Sequence, residues 1–177
     1  MVHLTKIYTK TGDDGTTGLA DYSRTNKYSV TMEAIGAVDE ANSAIGMIHA
    51  HYHLDSIQND LFDLGAILAG STTVQLTEKR IEMLELAIDD MNENLPTLQS
   101  FILPKGDIHN ARAIVRRAER RVWEAIEIHG EVPELYDIDP IVAKYLNRLS
   151  DYLFCLARYD AGRMSETLWK PMGKNEK

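Results

Sequence analysis

From about residue 28 onward, apolar residues return at the intervals of a helix. Ile35, Val38, Ala41, Ile45 and Ile48 make one stripe that runs into the segment HAHYH. Leu54, Ile57, Leu61, Leu64 and Leu68 make a second, which stops near Gly70. Thr77 is the expected N-cap of a third helix carrying Ile81, Leu84, Ile88 and Met91, closed by Leu95-Pro96. Asp107 is the expected cap of a fourth, whose inward face is Ile108, Ala111, Val115, Ala118, Val122 and Ile126, ending at His129-Gly130. Asp139-Pro140 predicts the start of the last helix, a cap followed by proline at the first helical position. That helix continues through Leu146, Leu149, Leu153 and Leu156 to about Gly162. Five helices with mostly short connections predict an all-α, up-and-down five-helix bundle. A length of 177 residues suits one domain: 1–27 an N-terminal loop and bridge, 28–162 the bundle, and 163–177 a tail.

The front of the chain breaks this pattern. IYTKTGDDGTTGL sets Gly12, Gly15 and Gly18 at three-residue spacing among hydroxyls and a lysine. Glycines permit positive φ and close backbone approach, so successive N–H groups can form a concave anion nest. No Gly-Lys-Ser/Thr closes the run into a helix, so it is not a P-loop. Its acidic spacing does not match an EF-hand loop. Alone, it reads best as a turn-rich hairpin.

Charge changes the reading of the fourth helix. The chain carries a formal net charge of −8, which argues against a general nucleic-acid binder. Yet Arg112, Arg116, Arg117, Arg120 and Arg121 crowd into ten residues of one helix. Arg112, Arg116 and Arg120 are four apart and share a face, with Arg117 and Arg121 beside it and Glu119 interrupting. A solvated face paired to glutamates is the ordinary explanation. Against it, arginine stands at all five positions, and planar guanidinium forks suit phosphate or carboxylate. Like charges four apart also repel unless an anion sits between them. In the last helix, Asn147 stands four residues before Asp151, and beside a phosphate site the asparagine could contact sugar or phosphate. Joined to the glycine loop, the arginine face suggests a polyphosphate clamp.

Cys155 is the only cysteine, set among apolar neighbours, and is expected to be a buried small residue rather than a nucleophile. No intramolecular disulfide is possible, and a reducing compartment fits. The N-terminal segment lacks the long apolar core of a secretory signal, and no apolar run approaches the roughly 20 residues of a membrane span. A cytoplasmic protein is expected.

Four segments together resemble one family. YTKTGDDGTTGL, EAIGAVDEANSAIG, FILPKG before ARAIVRRAER, and YLNRLSDYLF look like the signature segments of the propanediol-utilisation-type ATP:cob(I)alamin adenosyltransferases. They occur in family order and cover most of the chain from Tyr8 to Arg158. The resemblance implies a homotrimer of five-helix bundles with ATP at each subunit interface, under the glycine-rich loop. It implies that Thr9, Lys10, Thr11, Gly12, Asp13 and Gly15 fold over ATP and that Lys27 makes a further basic contact. Arg116, Arg117, Glu119 and Arg120 would line the nucleotide site, completed by Asn147. Asp39 would pair across the interface with Arg112. Phe101 would lie against the lower face of the corrinoid and help keep that axial position empty. The implied substrates are ATP, with Mg2+ as its counter-ion, and cob(I)alamin, and the implied electron donor is a flavoprotein reductase.

The implied chemistry suits this inventory. Reduced cobalt is a strong nucleophile and can attack C5′ of ATP directly, so no general base or protein nucleophile is required. The protein supplies alignment and stabilisation of the triphosphate leaving group. Phe101 could also anchor the FILP link in the core, and the two roles are compatible. One departure stands out: Lys105 replaces the first glycine of the family's LPGG run, and DIHN leads straight into ARAIVRRAER. The shortened loop leaves open a catalytically weak ATP- or adenosylcobalamin-binding delivery or regulatory protein on the same scaffold. A ferritin-like di-metal protein is disfavoured, because none of the six histidines has an acidic residue three positions earlier. His49 and His53 could share a helix face, and no metal site of the protein's own is expected.

Overall fold

The computed structural model describes residues 7–48, 54–162 and 166–172. Five helices form in order: α1 Val30–Gly46, α2 Asp55–Leu68, α3 Glu78–Glu93, α4 Gly106–Glu131 and α5 Ile141–Ala161. Two short strands precede them, β1 Thr16–Gly18 and β2 Arg24–Asn26, paired antiparallel with Thr17 opposite Thr25. The polar bridge after the glycine loop is therefore half of a hairpin.

Each helix buries most of the stripe that its spacing predicts, with Ile35, Ile88 and Ile126 half-buried against the core. On α4, Ala111, Val115, Ala118, Val122 and Ala125 are wholly buried, and on α5 so are Leu146, Leu149 and Leu153. The alternation of alanine with valine gives α4 a thin inner face, which lets it lie between α1 and α5. Pairings along these seams set directions. Thr31 meets His129 while Glu40 meets Arg117, so α1 and α4 are antiparallel. Glu119 meets Asn147 while Arg112 lies on Phe154, so α4 and α5 are antiparallel as well. Lys144 bonds Glu78 and Arg148 bonds Glu85, so α3 runs parallel to α5. The result is an up-down-up-down-up bundle.

Two polar networks tie its interior. Asp60 on α2, almost buried, accepts from Arg80 Nε at 2.9 Å on α3 and from the Tyr145 hydroxyl at 2.7 Å on α5. At one end of the bundle, His129 of α4 lies 2.8 Å from the Thr31 hydroxyl and 2.8 Å from the Tyr136 carbonyl. A carbonyl only accepts, so Nδ1 carries a proton, and in the neutral ring Nε2 accepts from the Thr31 hydroxyl. The Tyr136 ring crosses Gly70, where φ is +82° and an added Cβ would come within 3.1 Å of the ring. Beside it, the Ala20 N–H donates to the Ala69 carbonyl at 2.8 Å, seating the hairpin on the end of α2.

Helix starts differ in detail from the expected caps. Thr77 has the extended backbone of an N-cap, but its side chain makes no capping hydrogen bond. α4 begins at Gly106 with Lys105 as its cap, so Asp107 lies within the first turn instead of before it. Its carboxylate accepts from the adjacent Ile108 N–H and still places negative charge at the positive end of the helix. Asp139 accepts from the Ile141 N–H at 2.9 Å, and Pro140 already has helical torsions, as that dipeptide predicts. α1 ends at Gly46, short of HAHYH, and His49 and His53 lie outside the described residues. Cys155 is buried, and burial pushes its thiol pKa up.

Candidate active site

The glycine loop owes its shape to backbone bonds and one arginine. Lys10 and Gly15 take positive φ, at +60° and +83°. The Gly15 N–H donates to the Gly12 carbonyl, and the Lys27 N–H donates to the Gly15 carbonyl at 3.0 Å. The Lys27 side chain lies against Gly12: a Cβ there would sit 3.0 Å from Nζ and 3.0 Å from the Thr16 carbonyl. A methyl group there would be tight against both, so glycine lets the lysine cross the loop without displacing it. Thr9 and Thr11 share a hydroxyl hydrogen bond of 2.9 Å. Asp14 accepts from the Thr16 N–H and hydroxyl, which hold its carboxyl below the usual range. Asp13 stands exposed at the loop's edge.

Arg24, which the sequence reading passes over, braces this loop from β2. It donates to the Thr11 carbonyl at 2.7 Å and through Nε to the Thr16 hydroxyl at 3.1 Å, with Asp14 at 3.7 Å. Only the cross-strand register that pairs Gly18 with Arg24 could have pointed to it.

The five arginines of α4 do not form one uniform face. With about 100° between successive residues, Arg117 and Arg121 swing toward α1 and Glu119 toward α5. Arg117 pairs with Glu40, and Arg121 with Glu124 at 2.7 Å. These two arginines and Glu40 line a groove of about 250 Å3 between α1 and α4. Arg112 lies with its guanidinium carbon 5.4 Å from the Phe154 ring centre, where burial and the Arg116 charge lower its pKa. Arg116 and Arg120 remain on the outward face. Arg120 donates to the Arg116 carbonyl at 2.9 Å, and among the described residues neither has a carboxylate partner. Flanking them, Asn147 donates to Glu119 at 3.1 Å, and both line a second groove, about 410 Å3, shared with Trp123 and α3.

The structure therefore gathers Arg116, Arg120, Glu119 and Asn147 at one place, and Gly12, Lys27 and the threonines at another. Among the described residues no hydrogen bond or ion pair joins Gly12, Lys27, Thr9 or Thr11 to Arg116 or Arg120 within one chain. Nor does one join Asp39 to Arg112. Asp39 is exposed and lines an apolar groove between α1 and α2 with Phe62 and Leu61. Phe101 is 77% exposed, so the expectation that it anchors the FILP link in the core is wrong: the link runs over the surface, and Leu103 is exposed too. Among the described residues no group of three or more His, Cys, Asp or Glu side chains is placed to hold a metal ion.

Residues 7–160 match the family model described as cobalamin adenosyltransferase. The chain belongs to the cobalamin adenosyltransferase family. It is 44% identical to the corrinoid adenosyltransferase of Mycobacterium tuberculosis, over 97% of this chain and 96% of that protein. With the Bacillus subtilis corrinoid adenosyltransferase it shares 41% identity over 86% of this chain and 85% of the relative. A solved PduO-type ATP:corrinoid adenosyltransferase from Lactobacillus reuteri, a phenylalanine-to-alanine variant complexed with cobalamin and ATP, superposes with a TM-score of 0.82. It is 33% identical and the match covers 94% of this chain and all of that one. Family membership thus covers the glycine loop, the arginine helix and the Asn147 helix together.

Proposed function

We propose that the chain transfers the 5′-deoxyadenosyl group of ATP to the cobalt of cob(I)alamin, releasing triphosphate and forming adenosylcobalamin. One electron pair on cobalt forms the Co–C bond, the C5′–O bond breaks, and its electrons leave with triphosphate. The observation that carries the reading is Arg116 and Arg120 standing outward on α4 without carboxylate partners, in a chain of this family. Two unneutralised guanidinium groups four residues apart repel each other, and an oligoanion placed between them removes that cost.

The remaining residues take roles on this reading. The threonine hydroxyls, Lys10, Lys27 and the loop amides around Gly12, Asp13 and Gly15 fold over the phosphates. Arg116, Arg117 and Arg120 hold the triphosphate as charge develops on it, and Glu119 with Asn147 completes the nucleotide site. Mg2+ enters as the counter-ion of ATP. Chains associate as a homotrimer with ATP at each interface, and Asp39 meets Arg112 across it. The separation of loop from arginines within one chain, and of Asp39 from Arg112, supports an assembly in which neighbours complete one another's sites. Phe101, exposed on its loop, lies against the lower face of the corrinoid. An empty lower position makes Co(II) easier to reduce by a flavoprotein reductase in the cytoplasm. The whole chain works as one adenosyltransferase domain.

The test is anaerobic adenosylation with ATP, Mg2+ and chemically reduced cobalamin. Light-sensitive adenosylcobalamin and one triphosphate per turnover are expected, with Arg116→Ala as the control. Consumption of the reduced corrinoid no faster than in buffer, with ATP still bound, would overturn the reading in favour of a delivery protein.

A further inference from the structure

Segment 166–172 lies beyond the residues that the family model matches, 7–160, yet its residues 167–169 are bonded to the loop that carries Phe101. The Trp169 N–H donates to the Phe101 carbonyl at 2.7 Å, and the Leu103 N–H donates to the Thr167 carbonyl at 2.8 Å. Between them Ile102 and Leu168 form an antiparallel bridge. Side chains reinforce the pairing: Ser100 donates to the Trp169 carbonyl at 2.9 Å, and Lys105 donates to the Thr167 hydroxyl at 2.8 Å. Lys105 is the residue that departs from the family's glycine, so here that departure makes a bond to the tail.

The foot of the segment is fixed as well. Arg158, buried at the end of α5, donates through Nε to Glu166 at 2.7 Å and through Nη2 to the Pro96 carbonyl at 2.7 Å. Phe101 itself points into the open. Its one aromatic contact among the described residues is the edge of Trp169, with ring centres 6.1 Å apart and planes at 61°. Edge-to-face contacts are attractive and depend on orientation. An exposed phenylalanine on a loop has several rotamers open to it, and this contact selects among them.

We propose that Trp169 is a positioning residue: it sets the orientation of the Phe101 ring, and so the fraction of bound Co(II) corrinoid that has lost its lower ligand. This rests on the reading of Phe101 given above. Trp169 acts through Phe101 and touches no reacting atom. It is 46% exposed, so truncating it leaves the bundle core intact.

The experiment compares wild type, Trp169→Ala, Trp169→Phe and Phe101→Ala, each with ATP and cob(II)alamin. The fraction of four-coordinate Co(II) is read by electron paramagnetic resonance. Trp169→Ala is expected to lower that fraction about fivefold, and Trp169→Phe, which keeps an aromatic edge, to retain at least about half of it. With cobalamin already reduced to Co(I), kcat and the KM for ATP of Trp169→Ala should stay within about twofold of wild type, because the lost step precedes transfer. If Phe101→Ala loses the four-coordinate signal while Trp169→Ala keeps it, the positioning role is overturned and Phe101 acts alone. If Phe101→Ala keeps the signal too, the reading of Phe101 falls, and the role of Trp169 with it.

Discussion

Asp60 and the arginine pair on α4 show two ways in which this bundle treats charge. Asp60 is nearly buried, and its carboxylate is met by both an arginine and a tyrosine hydroxyl from two other helices. Arg116 and Arg120 stand outward, with no carboxylate partner among the described residues. In the first region polar groups satisfy one another, and their work is to fix how α2, α3 and α5 pack. In the second, on the proposed reading, charge is held ready for a partner that the chain does not supply. Burial with full satisfaction thus marks the structural network, and exposure without neutralisation is what the proposed binding site requires.

The sharpest way to break that contrast is Arg116→Ala. Loss of one donor to a developing oxyanion typically costs about 10²- to 10³-fold in kcat, and that is the drop expected here. Because the side chain is exposed, the midpoint of thermal unfolding should hold. A variant that melts early would place Arg116 in the structural class, and one that turns over at the wild-type rate would remove it from the proposed binding site.

Asp60→Ala should do the reverse. It strands the Arg80 guanidinium and the Tyr145 hydroxyl together, and breaking such a pair costs about 3 kcal/mol at the low end of the known range. In a chain of this size, that lowers the unfolding midpoint by about 6–12 °C. Well below that midpoint, kcat/KM for ATP should match wild type. Loss of activity without loss of stability would blur the distinction between the two regions.

Gly12→Ala probes the loop, which the proposed function assigns to the binding region but which is built like the structural one. The new methyl group would press on the Lys27 ammonium and on the Thr16 carbonyl, both 3.0 Å away. The lysine can move aside, whereas the carbonyl belongs to β1 and moves only with the hairpin. A rise in the KM for ATP of about tenfold, or about 1.4 kcal/mol, is the expected result in steady-state kinetics, with kcat changed little.

The helices were legible because burial repeats with the helical period: the stripes on α4 and α5 are the ones that the structure buries. Helix ends were less so: Asp107 is the better cap by residue type, yet Lys105 takes the extended backbone of the cap and Asp107 falls in the first turn of α4. The arginine cluster was visible as composition, but its division was not. Whether an arginine meets a carboxylate depends on which helix lies beside it, and Glu40 is 77 residues away from Arg117. Arg24 and Trp169 were missed for the same reason, because each acts through a contact across strands or between distant segments. The exposure of Phe101 was misread because FILP is apolar. Apolar runs predict burial only when the segment is held inside, and this one is held on the surface by the tail.

The smallest effect concerns the structural network at the hairpin end. Burial, with the Asp21 charge nearby, pushes the Tyr136 phenol up to about 12, from an ordinary value of 10.0. Between those two values the unfolded chain has released this proton and the folded chain has kept it. The unfolded state therefore binds fewer protons there, and stability falls as pH rises. The contribution is whole below about pH 10 and is lost as pH rises through about 12. In the same buried place the hydroxyl donates to the Leu68 carbonyl, a bond that the phenolate would lose. Tyr136→Phe removes both the titration and the bond. Denaturant unfolding followed from pH 8 to 12 should show a lower plateau for the variant and a shallower alkaline decline than wild type. Parallel curves would mean that other groups, Tyr145 first among them, carry the alkaline loss, since burial and Asp60 raise its phenol pKa further still.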